Sequence, residues 1–375
     1  MVTFEEEEKI KKSLENKDDT NSKRIKRFLS MPDLSRKEGS PIAEIVHRVL
    51  ELPDFKDFDI VNIPEIVGAD ISFDLFNFPK DHPARSKSDT YYADEKHILR
   101  THTTIMWYYH LMAEAVKQKI KNSMSVGAIA YGKVYRRDEL DRQHMNVFHQ
   151  IDGWYLTPKN KKIITIQDLQ DILLKIARKI YGDDIEHRFN VDEFPYTDPS
   201  VELEIKVRGN WLEVLGSGLV RGVVLKNLGV DPDVYNGWAF GFGLERLAML
   251  STDLPDIRLL WSEDDRIKKQ LHLGNKFEEV SKYPPAPRDV SFIVDKGFVP
   301  NDYFDLIRDI GGDLVEEVEL LDKYANEEKF GKDKISYTYR IIYRSNERTL
   351  TNEEVNDIQE KVYNQTAEQF NAELR

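Results

Sequence analysis

Gly237-Trp238-Ala239-Phe240-Gly241-Phe242-Gly243-Leu244-Glu245-Arg246 is the stretch on which the fold turns. Small residues interleave with aromatics, as at a glycine-rich strand end, and a helix follows from Gly243 to Leu250. Gly241 and Gly243 permit close approach of the backbone to a ligand. Arg246 falls in the first helical turn, where the positive end of the helix dipole also favours an anion. A glycine-rich turn by itself is a weak signal. The plainer reading is a buried strand–helix corner with Arg246 in a salt bridge.

Three further constellations lie upstream. Gly132-Lys133-Val134-Tyr135-Arg136-Arg137-Asp138 leads through Gln143 and His144 to Phe148-His149-Gln150. It reads as two strands joined by a charged loop. An arginine fork suits a phosphate, and Phe148 offers a stacking face for a base. For an isolated Arg-Arg-Asp, a hairpin with solvated charges would be the better reading. Phe194-Pro195-Tyr196-Thr197 alternates aromatics about a proline in an extended segment, which can line a pocket for another ring or enter a core strand. Trp211-Leu212-Glu213-Val214-Leu215-Gly216-Ser217-Gly218 sets Glu213 on a strand with a glycine-rich end. Its carboxylate could hold Mg²⁺ with a nucleotide phosphate or pair with an arginine.

The remaining patterns give the organisation. Residues 1–40 are highly charged and read as a peripheral helical extension, with a partly disordered tail as the alternative. Pro41 to Leu52 has helical apolar spacing, and Phe58 to Ile63 reads as a short strand stopped by Pro64. Strands are expected at Gly127–Tyr135, Phe148–Leu156, Val201–Arg208 and Trp211–Leu215, with a helix at Ile166–Tyr181 capped by Thr165. Pro284, Pro285 and Pro287 mark a linker at 277–287 between a domain at 41–276 and one at 288–375. The last domain reads strand (Val290–Val294), helix (Tyr303–Ile310), two strands (Val315–Asp322, Ser336–Tyr343), helix (Asn352–Phe370). That is an α+β order.

Composition sets the bounds. The 375 residues include no cysteine, which excludes disulfides, thiolate metal sites and cysteine nucleophiles. An apolar fraction of 40% supports a sizeable core. No run approaches the ~18 apolar residues of a membrane span. The acidic start, Glu5 to Glu8, is unlike a signal or transit peptide, so a cytoplasmic protein is expected, with a mature mitochondrial matrix chain as the alternative. A net charge of −13 argues against indiscriminate nucleic-acid binding but leaves local basic patches available.

Taken together, the segments resemble the class II aminoacyl-tRNA synthetases. Pro41–Pro64 is similar to motif 1, Tyr135-Arg136-Arg137-Asp138 to motif 2, and Gly241-Phe242-Gly243-Leu244-Glu245-Arg246 to motif 3. His82-Pro83-Ala84-Arg85, Arg100-Thr101-His102-Thr103, Phe148-His149-Gln150, Phe194-Pro195-Tyr196-Thr197 and Pro255-Asp256-Ile257-Arg258 resemble the phenylalanyl-tRNA synthetases, and the fused tail resembles their single-chain, organelle-type members. The resemblance covers roughly residues 41–375. It implies an antiparallel-sheet catalytic domain and a ferredoxin-like anticodon-binding sandwich.

The implied reaction activates phenylalanine with ATP and Mg²⁺ and transfers it to tRNA(Phe). A monomer is implied, with a homodimer through motif 1 as the alternative. Arg136 would bind the α-phosphate. Arg246 would bind the γ-phosphate and sandwich adenine on Phe148. Gln143, His144, Phe240 and Glu213 would complete the nucleotide and magnesium site. His102, Thr104, Gln150 and Asp152 would hold the amino and carboxylate ends, with Phe194, Tyr196 and Ala239 lining the side-chain pocket. Tyr339, Arg340, Arg344 and Arg348 would meet the tRNA by stacking and charge.

The family usually has serine at Thr104, glutamine at Trp107, glutamate at Asp152 and phenylalanine at Tyr196. An apolar pocket rejects an added hydroxyl only ~10²-fold, so some activation of tyrosine is expected. The competing reading is a synthetase-like protein that activates an amino acid or binds RNA without charging tRNA(Phe).

Overall fold

The computed structural model describes residues 1–139, 141–207, 209–279 and 283–375. The chain divides into two units. The first comprises residues 1–136, 147–254 and 263–277, and the second 137–146, 255–262 and 278–375. The linker expected at 277–287 spans this change of unit, and its residues 280–282 lie outside the described residues, as does Arg208 at the end of an expected strand.

The first unit is built on one seven-stranded sheet. Its strands are β1 (Asp59–Ile60), β2 (Val126–Tyr135), β3 (Val147–Pro158), β4 (His187–Phe194), β5 (Thr197–Val207), β6 (Asn210–Val220) and β7 (Tyr235–Gly243). Their spatial order is β1-β2-β3-β7-β6-β5-β4. β1 runs parallel to β2, and every other pair is antiparallel. The helices α1 (Phe4–Glu15), α2 (Thr20–Ser30), α3 (Pro41–Leu50), α4 (Ile166–Tyr181) and α5 (Leu244–Thr252) belong to this unit. The Thr165 cap is present as a full capping box with Asp168.

Strand alternation separates the sheet into two unlike faces. On β3, Gln150, Asp152 and Trp154 share one face. Their neighbours on β2 are Gly132, Ala130 and Ala128, and on β7 they are Gly243, Gly241 and Ala239. Each of these three side chains is thus flanked by glycine or alanine on both sides. Trp238, Phe240 and Phe242 take the other face, stacked in succession at 5.8 Å, and Phe240 also meets Phe55. The small–aromatic interleaving is the linear trace of these faces.

Residues 1–40 are not peripheral. Ile25, Phe28 and Leu34 are buried, and α2 is tied to β2 through Lys133. The Lys133 ammonium donates to the carbonyls of Leu29 (3.0 Å) and Met31 (2.7 Å) and pairs with Glu65 at 3.0 Å. The Glu7 carboxylate accepts the backbone N–H of Glu65 and of Ile66. Most charges of this segment still face water, but Glu7 and Arg24 are buried.

The second unit carries a four-stranded antiparallel sheet of β8 (Ala286–Asp295), β9 (Val315–Tyr324), β10 (Lys334–Tyr343) and β11 (Glu373–Leu374), in the order β9-β10-β8-β11. Two helices, α6 (Pro300–Gly311) and α7 (Asn352–Phe370), complete a β-α-β-β-α-β sandwich. The final two-residue strand has no counterpart in the sequence reading, being too short for a periodicity signal.

Lys133→Met should lower stability by about 3 kcal/mol, because it leaves two partly buried carbonyls and Glu65 without the Lys133 cation. Urea denaturation measures this, and a loss below about 1 kcal/mol would show that residues 1–40 are only loosely held.

Candidate active site

The small-residue face is where polar groups collect. Asp152 is 5% exposed on the central strand. The Thr104 hydroxyl donates to one of its oxygens at 2.8 Å, and the Thr103 hydroxyl donates to the other. Both threonines come from a 3₁₀ turn (Thr103–Ile105) that lays them over β3. Burial pushes the Asp152 carboxyl up to about 6, against the pull of the two threonines and the Arg136 guanidinium. Gly241 faces Asp152 across the strand pair. A methyl group there would come within 2.3 Å of a carboxylate oxygen, so this glycine is the room the carboxylate occupies.

His102 adjoins this turn, 8% exposed, with both ring nitrogens buried and, among the described residues, only the Ser72 backbone close to them. Burial, then the Arg136 charge, pushes it down to about 3. A neutral imidazole therefore brings one donor and one acceptor to the site. The Gln150 side-chain carbonyl and the Trp107 indole N–H are also buried without a partner. Unsatisfied buried polar atoms each cost about 1–3 kcal/mol. Their concentration on one face marks a place where a polar ligand would recover that cost.

Arg136 stands at the end of β2. Its Nε donates to the Thr101 carbonyl at 2.9 Å, and its guanidinium lies 5.2 Å from the Phe148 ring centroid. Arg100 supports this corner from below. It donates to the carbonyls of Lys133 (2.7 Å) and Ile63 (2.6 Å), and it fills the space a side chain at Gly132 would need, where φ is +145°. Arg246 lies in the first turn of α5, 3.8 Å from Glu213.

Glu213 reaches this face through a β-bulge. Leu203 pairs with Leu215 but Glu204 pairs with Glu213, so Val214 is the extra residue and the side-chain alternation resets. Without the bulge, Glu213 would point to the opposite face. Burial and Glu202 raise its carboxyl pKa, while Arg246 pulls it down.

The Phe194–Thr197 segment is a tight hairpin turn between β4 and β5, not the extended run expected. The two rings nonetheless stack at 5.8 Å. Tyr196 also meets Phe76, Phe78 and Trp107, and Ala239 belongs to the same apolar cluster as Trp107 and Trp154. Trp107 and Trp154 are face to face at 5.0 Å. The Trp154 indole donates to His110, whose other ring nitrogen lies 3.0 Å from the Asp59 carboxylate. The sequence motifs do not mark Thr103, Phe76, Phe78 or Trp154 as site residues. Two of them sit in a segment with no motif, and only contact in the fold reveals them.

Phe240 is corrected. It is 2% exposed on the aromatic face of β7, opposite the polar groups, because strand parity puts it there. Gln143 and His144 belong to the second unit. There Asp141 accepts both backbone N–H groups and meets the His144 ring at 2.8 Å, which raises the imidazole pKa.

Tyr339 is also corrected. Tyr337, Tyr339 and Tyr343 alternate into the core of the second unit with Phe292 and Tyr303, so none offers a stacking face. Arg340 remains on the open side of the sheet in a double hydrogen bond to Asp289 at 2.8 Å. Arg344 pairs with Glu316 at 2.9 Å and Arg348 with Glu354.

Comparison with known proteins matches the chain to a family. The family described as "tRNA synthetases class II core domain (F)" matches residues 28–271, and "Ferredoxin-fold anticodon binding domain" matches residues 281–375. The chloroplastic/mitochondrial phenylalanine–tRNA ligase of Arabidopsis thaliana is 39% identical over 359 residues, covering 91% of this chain and 80% of that one. The chain belongs to the phenylalanine–tRNA ligase family. The mitochondrial phenylalanine–tRNA ligase of Saccharomyces cerevisiae is 34% identical and covers 91% of this chain and 89% of its own. An alpha subunit of the enzyme from Coxiella burnetii is 38% identical over 232 residues, covering 61% of this chain and 67% of that subunit. The class II fold and the ferredoxin-like tail expected from the sequence are both present.

An ammonium ligand bound at Asp152 would require the ionised carboxylate. Phenylalaninol, an amino alcohol with a benzyl side chain and a free ammonium, should therefore bind with an affinity that falls about tenfold per pH unit below about 6 and is flat from about 7 until its own ammonium deprotonates. Calorimetric titration checks this, and an affinity unchanged down to pH 5 would remove Asp152 from the ammonium contact.

Proposed function

We propose that the chain ligates phenylalanine to tRNA(Phe) in two steps, with ATP as the activating substrate. The phenylalanine carboxylate attacks the α-phosphorus of ATP to give the adenylate and pyrophosphate, and the terminal ribose hydroxyl of tRNA then takes the acyl group. The observation that carries this reading is the arrangement of Arg136 over Phe148 beside the Thr103–Asp152–Thr104 cluster. It supplies an anion-binding fork, an aromatic face for adenine and a carboxylate for an ammonium, all on a face cleared by glycine and alanine. The amino acid would be held by Asp152 and Thr104 at its ammonium end and by His102 and Gln150 at its carboxylate end. Phe194, Tyr196 and Ala239 would enclose its ring. The whole-chain similarity to fused phenylalanine–tRNA ligases favours this over an activating or RNA-binding relative that does not charge tRNA.

Catalysis would be positioning and charge neutralisation, with no covalent enzyme intermediate. Arg136 would meet the α-phosphate and Arg246 the γ-phosphate at the N-terminal end of α5. Among the described residues no group of three or more acidic or histidine side chains is arranged as a metal cage. Mg²⁺ commonly takes one or two carboxylates and completes its shell with phosphate oxygens and water. Glu213 and Glu202 fit that donor set, because Glu202 raises the cost of ionising Glu213 and a divalent cation would relieve it. Bound there, Mg²⁺ would neutralise charge on the phosphates.

The tail would read the anticodon, chiefly through the open side of its sheet, where Thr338, Arg340 and Ile342 are partly accessible. We take the chain to act as a monomer, the layout of the fused relatives giving each copy its own anticodon domain. The organellar names of those relatives favour a mitochondrial or plastid setting over the cytoplasmic one expected from the acidic N-terminus.

Arg136→Ala should cut phenylalanine-dependent ATP–pyrophosphate exchange by at least about 10³-fold, a loss of roughly 4 kcal/mol of transition-state stabilisation, with the fold retained. Near-normal exchange in that variant would refute the assignment. Arg340→Ala should leave exchange unchanged and raise the KM for tRNA several-fold in the charging assay. An unchanged tRNA KM would move anticodon recognition away from the open sheet.

A further inference from the structure

Tyr196 does more than line the aromatic slot. Its ring is stacked on Phe194 at 5.8 Å and 10°, edge-on to Trp107 at 5.9 Å and 88°, and edge-on to Phe76 at 6.4 Å and 87°. It is also tilted against Phe78 at 6.1 Å. Contacting rings have centroids about 4.5–7 Å apart. A second ring between Tyr196 and any of these partners would therefore push them apart by several ångströms.

The partners have little freedom to move. Phe76 and Trp107 are both fully buried and touch each other at 5.4 Å, and Trp107 is clamped on Trp154. A side chain that belonged only to a wall would touch its neighbours along that wall. Tyr196 touches the surrounding walls as well, and the Asp152 carboxylate is its strongest charged neighbour, with Thr104 also close.

We propose that Tyr196 is an intramolecular competitor for the amino-acid slot: its phenol ring occupies the space a phenylalanine ring would enter and must rotate out to admit it. This rests on the reading that the slot takes the substrate side chain. The backbone that carries Tyr196 is pinned. Asn77 donates to the Pro195 carbonyl at 3.1 Å, and the Arg221 N–H donates to the Tyr196 carbonyl at 3.1 Å. The motion is then a side-chain rotation on a fixed turn, not a loop opening.

The test uses the full chain, with phenylalaninol as ligand, and compares Tyr196→Ala and Tyr196→Phe with the parent by calorimetry and by ligand-induced change in Tm. A competitor predicts that Tyr196→Ala binds at least threefold tighter and shows a larger ligand-induced Tm increase. Tyr196→Phe, which keeps the ring and loses the hydroxyl held near Thr104 and Asp152, should fall between. A plain wall residue predicts the reverse sign, weaker binding and a smaller Tm increase in Tyr196→Ala. Binding that is unchanged or weaker in both variants overturns the competitor role alone. If neither the parent nor the variants bind phenylalaninol, the reading of the slot fails, and this inference falls with it.

Discussion

A carboxyl group buried on the central strand of a sheet must be matched by everything around it, and much of the first unit follows from doing so for Asp152. The ordinary aspartate pKa is near 3.8, and here it is about 6. Ionising Asp152 therefore weakens the fold. The penalty builds as pH rises from the ordinary value to about 6 and is full above it. Two threonine hydroxyls and the distant Arg136 charge offset part of that penalty, but burial outweighs them. A site that holds a costly negative charge without a full countercharge is poised for a ligand that brings one. The aspartate is reached here by threonines from the adjoining turn.

The same constraint explains the sequence on the flanking strands. A carboxylate, an amide and an indole alternate along β3, and each needs lateral room. Gly132, Ala130 and Ala128 provide it on one side, and Gly243, Gly241 and Ala239 on the other. Aromatic bulk goes to the opposite face, where Trp238, Phe240 and Phe242 meet Phe55. The interleaving is legible in the sequence alone, and so is its parity. Nearness to the glycine pair puts Phe240 at the ligand, whereas counting by two from Gly241 assigns it to the core. Parity is the better guide, because a strand turns alternate side chains to opposite faces.

Other departures have equally local causes. The register of Glu213 depends on one extra residue at Val214, and nothing in Trp211–Gly218 announces a bulge. Charge density suggests a solvated extension for the N-terminal forty residues, and most of those charges do face water, but Glu7 is buried against the backbone of Glu65 and Ile66, and Lys133 on β2 holds the Leu29 and Met31 carbonyls. Composition cannot separate a charge facing water from one facing carbonyls. Helix limits are easier, because caps are local: Thr165 and Asp168, and Thr351 and Glu354, fix both helix starts within four residues of sequence.

The tail shows how period two can mislead about function. Tyr337, Tyr339 and Tyr343 sit at odd positions and Thr338, Arg340 and Ile342 at even ones, so aromatics and a basic group that interleave in sequence lie on opposite faces. The tyrosines are the core, and the open side keeps an arginine already engaged by aspartate. From 288 to 375 there are twenty acidic residues against twelve basic ones. Broad phosphate attraction is a poor fit for such a surface. An RNA partner would have to exchange the Asp289–Arg340 pairing for a phosphate or base interaction, so the net benefit of each new hydrogen bond is what remains after an ion pair is broken. Exposed pairs of this kind contribute little, because water and salt screen them. The exchange therefore costs little, and selectivity falls to whatever shape and base edges the open sheet can meet, with the small charge on each arginine pair setting alignment more than affinity.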